Sequence, residues 1–289
     1  AEWGLAMRLD SVIKFPKQMT LGAIQNDSLI FQMGVQLAKE CKRLGIHVNF
    51  APVVDINSNP DNPVIGYRSF GEDKYNVARK GIAYMKGMQS MHVLSNAKHF
   101  PGHGDTDVDS HKALPQIYHS RQRMDSIELY PFAQLIKNGL TSIMVGHLNV
   151  PSLDTAKGSI ASLSSQVVNK LLKDSLKFKG LVFTDALNMK GVSSFYKPGV
   201  VDAKALLAGN DMLLYAEDVP TAIREIKNAI DSCQISWEDI YARCYRILKA
   251  KEWAGLNHNA YIDTKDLYND LNSTASDLLN RKLYEAAQT

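Results

Sequence analysis

The order of the predicted elements constrains the fold more than any other feature of this chain. Amphipathic helical stripes fall at 30–44, 77–91, 125–138, 165–176 and 201–208, and each precedes a short apolar run. The runs predicted as strands are 46–54, 93–100, 140–147, 181–185 and 211–215, and a glycine introduces four of the five. Glycine most readily takes the left-handed conformation that ends a helix. This βα alternation predicts an α/β protein with a parallel sheet and helices outside it.

Polar side chains at the ends of these runs bear on whether the sheet is open or closed. Asp55, Lys98 with His99, His147 and Asp185 come at or just past the carboxyl ends of four different strands. A (β/α)8 barrel gathers catalytic groups from many strands at that face, whereas a doubly wound sheet concentrates them at one switch point. We therefore predict a TIM-type (β/α)8 barrel.

The chain carries only part of the pattern of such a barrel. Five strands are indicated, so we expect the first barrel strands to lie upstream of Ala1. After residue 215 only helices are predicted, at 221–230, at 236–253 and from Thr274, where Thr274 and Asp277 resemble a capping box. We divide the chain into an N-terminally incomplete catalytic barrel, residues 1–253, and a helical connector, residues 254–289, towards a C-terminal region absent from this chain.

Composition excludes several classes of partner. With 33 basic and 30 acidic residues the chain offers no concentrated charge for nucleic acid or an anionic membrane surface, and no apolar run is long enough to span a bilayer. Cys41, Cys233 and Cys244 form no CxxC pair, so neither a disulfide framework nor a zinc ribbon is indicated, and buried thiols are expected. We predict no metal and no cofactor.

The segment from Lys98 to His111, KHFPGHGDTDVDSH, is the densest in chemistry. Three histidines and three aspartates on a loop after a buried strand favour a functional site over a solvated acidic loop. Histidines 99 and 103 have the spacing of metal ligands on a helix, but Pro101 and two glycines argue against a helix there. The same glycines predict a mobile loop over 101–115.

Asp109 and His111 are two residues apart, so in an extended loop the carboxylate can orient the imidazole as a proton shuttle. Neither GxSxG, HExxH nor a P-loop pattern occurs, which disfavours serine hydrolases, zincins and P-loop nucleotide hydrolases. Asp185, at the end of an apolar strand, is the remaining reactive candidate, and the alternative is that it caps a helix over 186–190.

These motifs resemble glycoside hydrolase family 3, of the bacterial β-N-acetylglucosaminidase type. The segment 98–111 matches its KHFPGHGxxxxDSH signature, and three further blocks follow the family's order: APVVD at 51–55, YRSFG at 67–71 and TDALNMKG at 184–191. The resemblance runs from Ala1 to about Trp253. Residues 2–8 are similar to the end of the family's D-x-E-G-G-x-V-x-R segment, with Trp3 in place of a glycine and the aspartate upstream of Ala1.

The resemblance implies a (β/α)8-type barrel and retaining hydrolysis of terminal β-linked N-acetylglucosamine through a glycosyl-enzyme. Asp185 would be the nucleophile, and His111, oriented by Asp109, the acid/base. The substrate-binding residues that it implies are Arg8, Asp55, Arg68, Lys98, His99 and Met189. An imidazole, with an ordinary pKa of about 6.5, needs less tuning than a carboxyl group for this work at neutral pH.

Three alternatives to an exo-acting β-N-acetylglucosaminidase on peptidoglycan fragments stay open. A β-glucosidase or β-xylosidase of the family usually takes its acid/base from another domain, which the intact Asp109-Ser110-His111 motif argues against. A phosphorylase would replace water by phosphate, and an inactive sugar-binding module would show no turnover. The expected partner is a small carbohydrate, the expected state a monomer, and the favoured parent protein is exported.

Overall fold

The computed structural model describes residues 1–109, 112–258 and 261–288. Four strands form one parallel sheet in chain order: β1 (Val48–Asn49), β2 (Leu94–Phe100), β3 (Ser142–Val145) and β4 (Leu181–Thr184). The register pairs Ser142 with Leu181 and Val145 with Thr184, so the carboxyl ends of β3 and β4 lie side by side. The predicted α/β class with a parallel sheet and the βα order of a TIM-type barrel is confirmed.

Two of the predicted strands keep little or no regular strand pairing. The run 46–54 is regular only over Val48–Asn49, because Pro52 has no N–H to donate and beyond it the chain follows β2 through a single bridge at Val53. The run 211–215 pairs with β4 at one bridge, between Phe183 and Met212. Both segments still run parallel to the sheet.

Helices connect the strands. They are α1 (Gln18–Ala23), α2 (Asp27–Arg43), α3 (Lys74–Ser90), α4 (Arg121–Ser126), α5 (Leu129–Lys137), α6 (Lys190–Ser193), α7 (Val200–Ala208), α8 (Val219–Asp231), α9 (Trp237–Trp253), α10 (Leu267–Leu271) and α11 (Thr274–Ala286), with a π-helix at Gln166–Ser175 and 3-10 turns at Leu5–Met7, Gly66–Arg68 and Ala161–Leu163. In the described part of the chain no helix combines the length and the apolar character that a membrane crossing requires.

Four glycines precede predicted strands, and three of them end a helix as the sequence predicts. Gly45, Gly139 and Gly209 have φ of +70°, +87° and +115°, as expected for residues that end a helix. Gly180 serves a different purpose, because a Cβ there would lie 2.3 Å from the carbonyl oxygen of Thr141. It permits close approach of two chain segments.

The predicted helix 125–138 is two helices. Pro131 has no N–H, and its ring would clash with the carbonyl of the residue four positions earlier, so a helix cannot run through 127–131. The chain instead ends α4 at Ser126 and begins α5 at Leu129, which places Pro131 in the first turn.

Both faces of the sheet are covered. Successive residues of a strand point to opposite faces, so Val182 packs into the main hydrophobic core with the apolar faces of α2, α3 and α5. Leu181 and Phe183 pack against Ile247 and Ala250 of α9 on the other face. The carboxyl ends of the strands extend past these layers and are available for a site.

Two predictions about smaller features are wrong. Helix α11 is capped by Ser273, whose Oγ accepts a 3.2 Å hydrogen bond from the Ser276 N–H, and not by Thr274. Of the three cysteines only Cys41 is buried, whereas Cys233 and Cys244 are exposed. After α9 the chain returns to α2, where Asp270 binds Arg43 at 2.7 Å; the division of the chain at residue 253 stays a prediction.

Candidate active site

Three of the polar residues at the strand ends, Lys98, His99 and Asp185, line one cavity of about 550 Å³. Its lining includes residues from the N-terminal segment, from the ends of β2 and β4, and from the turn before α3: Glu2, Trp3, Arg8, Arg68, Lys98, His99, His103 and Asp185. Five of the sequence-predicted site residues are among them. The parallel register explains the convergence, since it brings the carboxyl ends of neighbouring strands to one face.

Glu2 is the centre of a buried ion cluster beside this cavity. Its side chain is 1% exposed and accepts hydrogen bonds from Arg68 Nε at 2.9 Å and Nη2 at 2.7 Å, while Lys98 Nζ lies 2.9 Å away. Burial alone would raise the pKa of the Glu2 carboxyl, but Lys98 and Arg68 hold it well below its ordinary value. Glu2 is therefore ionised and fixes both cations at the wall of the cavity.

Asp185 follows directly on β4 and faces the cavity. Its Oδ1 accepts a 2.8 Å hydrogen bond from the Ala186 N–H, and helix α6 begins only at Lys190, so the alternative that Asp185 caps a helix over 186–190 is wrong. Burial would raise the pKa of this carboxyl, but His99, His147, the Ala186 N–H and Lys98 together lower it. The result is an ionised carboxylate at neutral pH.

His147 lies behind Asp185 at the end of β3. Its Nδ1 is 2.7 Å from Ser162 Oγ, and its Nε2 donates to the Ala186 carbonyl at 3.0 Å. The ring thereby holds Ala186, the residue whose N–H binds Asp185.

Asp55 is buried beneath the cavity and does not line it. Its carboxylate accepts from the backbone N–H of His99 at 3.1 Å and of His103 at 2.8 Å, and its Oδ2 lies 2.7 Å from His99 Nδ1. Burial would raise its pKa, but His99 and His103 lower it. Burial, followed by the charge of His99, lowers the pKa of His103 to about 4, so that ring is neutral at neutral pH. Asp55 thus orients two loop residues.

The loop after β2 is packed against the barrel at Gly102 and Gly104, where the sequence predicts mobility. A Cβ at Gly104 would lie 1.6 Å from the carbonyl oxygen of Ile56, and one at Gly102, with φ of +123°, would lie 2.9 Å from Glu128 Cβ. Glycine is used at both positions for close packing. Further along, the Asp109 carbonyl accepts from the N–H groups of Lys112 and Ala113. His111 and Ser110 lie outside the described residues.

A family model described as the glycosyl hydrolase family 3 N terminal domain matches residues 1–250. The chain belongs to glycosyl hydrolase family 3. The resemblance seen in the sequence motifs is confirmed.

This family 3 chain is similar to several proteins named as beta-hexosaminidases or beta-N-acetylglucosaminidases. It is 37% identical over 268 residues to a beta-hexosaminidase A from Pseudoalteromonas piscicida, covering 84% of this chain and 44% of the relative. It is 28% identical to a beta-N-acetylglucosaminidase/beta-glucosidase from Cellulomonas fimi, covering 89% and 47%. A family 3 beta-N-acetylglucosaminidase structure from Paenibacillus sp. str. FPU-7 superposes with a TM-score of 0.93 at 36% identity, covering 99% of this chain and 55% of that one. The chain thus spans about half the length of these relatives.

Arg8 and Met189, which the family 3 motifs imply as substrate-binding residues, do not lie at the buried wall of the cavity. Arg8 lines the mouth of the cavity, is exposed, and donates to the Met7 carbonyl at 2.9 Å. Met189 is buried at the residue before α6 and does not line the cavity.

One group in the described ranges has the geometry of a metal site. Asp105, His119 and Glu128 bring their ligand atoms within 4.8 Å of one another. Arg123 already supplies a cation to this group, with its Nη2 3.2 Å from Glu128 Oε1 and 3.8 Å from Asp105 Oδ2. A divalent ion would have to displace that guanidinium.

Sequence reasoning assigned no individual role to Glu2, His103 or His147. Glu2 had a signal, since it lies in the segment 2–8 that carries the family resemblance. His103 is in the dense loop, and His147 ends a predicted strand. Asp55, Arg68 and Lys98, the partners of the His103 N–H and of Glu2, come from distant parts of the chain, which no local pattern reveals.

Proposed function

We propose that this chain is the catalytic region of a retaining exo-β-N-acetylglucosaminidase. The observation that carries the proposal is the ionised Asp185 carboxylate at the end of β4, facing a cavity with donors on Arg68, Lys98 and His99. The names of the family 3 relatives support N-acetylglucosamine as the sugar. The cavity falls within the size range of small-ligand sites.

A retaining mechanism is favoured because, among the described residues that line the cavity, Glu2 is the only carboxylate besides Asp185. Inverting enzymes need one carboxyl group as acid and another as base. Glu2, the other carboxylate at the cavity, is held by two cations that lower its pKa, which makes it a poor base. Asp185 is therefore assigned to direct attack on the sugar.

The first step forms the glycosyl-enzyme. A carboxylate oxygen of Asp185 attacks the anomeric carbon, the bond from that carbon to the leaving oxygen breaks, and His111 gives its proton to that oxygen. In the second step His111 takes a proton from water, whose oxygen attacks the anomeric carbon while the ester bond to Asp185 breaks. The sugar leaves with its original configuration, and both side chains return to their starting states.

The cations at the cavity wall are assigned to binding the uncharged sugar. Arg68 and Lys98 donate to hydroxyl and amide oxygens, and Glu2 keeps them in place before substrate arrives. We propose peptidoglycan fragments as the source of the sugar. We also propose a monomer.

The test traps the intermediate. A 5-fluoro N-acetylglucosaminide with a dinitrophenyl leaving group is expected to label Asp185, located by peptide mass mapping, and Asp185→Asn is expected to lose label and turnover. The matched control is Asp174→Asn, an exposed aspartate in a surface pair with Lys170. Label on another residue, or full activity of Asp185→Asn, would disprove the assignment.

Turnover in the presence and absence of phosphate separates hydrolysis from phosphorolysis. The proposal expects free N-acetylglucosamine as the product at a rate independent of phosphate. Release of the sugar 1-phosphate at a higher rate would replace the hydrolase by a phosphorylase acting through the same nucleophile.

A further inference from the structure

Trp3 supplies the cavity with an aromatic side chain that is only half-buried. We propose that this side chain, braced by Tyr67 and Lys17, is the wall on which the second sugar ring of the substrate stacks, the ring beyond the bond that is cleaved. The ligand class is a β-linked oligosaccharide whose terminal residue is N-acetylglucosamine. The inference rests on the proposed function, because it assigns the part of the substrate that leaves the same site.

The buried ion pair between Glu2 and Arg68 fixes the place of both aromatic residues. Trp3 follows Glu2 in the chain, and Tyr67 precedes Arg68 in a 3-10 turn. The two charged groups meet at 2.7 Å, and the Trp3 carbonyl accepts a 3.2 Å hydrogen bond from the N–H of the fully buried Phe15. Because the chain is anchored on both sides, the two rings come together at the cavity.

Tyr67 and Lys17 brace the Trp3 ring from outside the cavity. The Trp3 and Tyr67 rings meet edge to face, with centroids 6.0 Å apart and planes at 65°. The Lys17 ammonium lies 3.4 Å from the centre of the Tyr67 ring and 5.6 Å from that of the Trp3 ring. Neither Tyr67 nor Lys17 lines the cavity, so these contacts hold Trp3 from behind and leave its other side towards the cavity.

The cavity offers the two kinds of surface that sugar rings bind. The hydroxyls of a pyranose project around its rim and its C–H groups lie on its faces, so donors suit the rim, and an aromatic ring with its electron-rich face suits the C–H groups. The donors are on Arg68 and Lys98. Besides histidine, the aromatic residues among the described residues of the lining are Trp3 and Phe50, and Phe50 packs on Phe183 in the cluster that faces α9. Trp3 is therefore the ring available for stacking.

The order of these surfaces from the inside outwards assigns Trp3 to the second ring. Arg68 and Lys98 are largely buried, so the terminal sugar that they bind takes the inner part of the cavity, where its anomeric carbon can reach Asp185. In an exo-acting enzyme the rest of the substrate leads from that ring towards solvent. Trp3 is half-buried and contacts Tyr67, which is 52% exposed, so it borders this exit.

A ring at this position changes what the site selects. Trp3 stands where the similar family 3 segment has a glycine, which offers no side chain for stacking. Binding to a part of the substrate that does not react raises kcat/KM on the substrates that carry this part. Replacing Trp3 should therefore damage turnover of substrates with a second sugar more than turnover of those whose leaving group is too small to reach it.

The experiment compares a disaccharide with a substrate that has no second ring. In the full chain, Trp3→Ala is expected to lower kcat/KM on N,N′-diacetylchitobiose about tenfold more than on methyl β-N-acetylglucosaminide, at the upper end of what one aromatic contact contributes. Trp3→Phe keeps a ring and should restore most of the difference, whereas Trp3→Leu keeps apolar bulk and should not. The matched control is Trp237→Ala, since the Trp237 ring on α9 also contacts a tyrosine, Tyr241, at a centroid distance of 6.0 Å.

Binding without turnover separates a direct contact from a general disturbance of the site. In the Asp185→Asn background, titration calorimetry should show that Trp3→Ala raises the Kd of N,N′-diacetylchitobiose about tenfold more than the Kd of the methyl glycoside. Equal losses for the two ligands would overturn the inference, because Trp3 would then contact the first ring or act through the Glu2 cluster. A Trp3→Leu variant with the preference of the wild type would also overturn it, since the aromatic ring would not be needed.

The two proposals fail in different ways. If the wild type neither turns over these substrates nor takes label at Asp185, the proposed function is wrong and the inference fails with it. If the wild type is labelled at Asp185 and Trp3→Ala keeps the substrate preference of the wild type, only the inference is wrong.

Discussion

Replacing Glu2 by glutamine tests how the cavity wall is held together. The substitution keeps the side-chain volume and removes the negative charge between Arg68 and Lys98. Three charge-assisted contacts of 2.7–2.9 Å are affected, and the Arg68 and Lys98 side chains are only 19% and 11% exposed. The amide keeps one acceptor oxygen but turns an NH2 group towards a cation.

The expected loss of stability follows from these contacts. A hydrogen bond to a charged group contributes about 1.5–3 kcal/mol, and about two of the three are lost. Breaking a buried ion pair by removing one partner costs roughly 3–5 kcal/mol, in agreement with that sum. We expect a fall in the free energy of unfolding of this size, and a fall in Tm on the order of 10 °C.

The pH dependence of this loss has a definite sign. Because the pKa of Glu2 is lowered in the folded state, its stabilisation is complete above the ordinary glutamate pKa of 4.5 and is lost only as pH falls towards the lowered value. The difference between wild type and Glu2→Gln should therefore be constant between pH 5.5 and 8.

Urea unfolding followed by fluorescence at three pH values in that range measures the difference. The control is Glu285→Gln, which removes a surface pair with Arg281 and should leave the urea midpoint within error of the wild type. If Glu2→Gln behaved like the control, or if its loss grew steadily from pH 5.5 to 8, the ion cluster would not hold the wall as described.

Three further outcomes are expected. Burial raises the pKa of Glu40 to about 7, so the free energy of unfolding of the wild type, measured by urea titration, should fall by about 3 kcal/mol as pH rises from 5 to 8, and that of Glu40→Gln should not. Gly104→Ala places a Cβ 1.6 Å from the Ile56 carbonyl oxygen, so it should lower the free energy of unfolding by about 1–3 kcal/mol or more and lower kcat; an unchanged melting curve would contradict the close packing. Because the pKa of Asp185 is lowered, kcat/KM on the dinitrophenyl substrate should stay level from pH 7 down to 5; a half-maximal point at or above pH 5 would contradict an ionised Asp185.

The sequence was sufficient for the order of elements because the signals are local. Asn26 and Asp73 cap α2 and α3 through their own side chains, and Gly45, Gly139 and Gly209 end helices by their own conformation. The same reasoning failed where a distant contact decides the conformation. Gly180 is glycine because Thr141 lies against it, and Gly102 and Gly104 pack on Glu128 and Ile56 where flexibility was expected.

The residues of the candidate site also fall into those that local sequence signals predict and those that distant contacts decide. Asp185, Lys98 and His99 were found because each ends an apolar strand, and parallel strands end at one face. Glu2 was quoted in a motif but received no role, since its two partners lie 66 and 96 positions away in the chain. A buried carboxylate can be recognised only when the cations that compensate it are known.

The charged side chains at the wall of the cavity largely compensate one another. Glu2 and Asp185 are ionised, Arg68 and Lys98 are cationic, and His103 is neutral at neutral pH, so these five side chains carry no net charge, and the exposed Arg8 adds one positive charge to the lining. A wall without a large net charge suits the uncharged sugar of the proposed function. In the proposed mechanism positive charge develops at the anomeric carbon, and Asp185 is the carboxylate left without a direct salt-bridge partner among these side chains, because Glu2 takes both cations. The pairing at Glu2 therefore leaves the negative charge of Asp185 available where the transition state needs it.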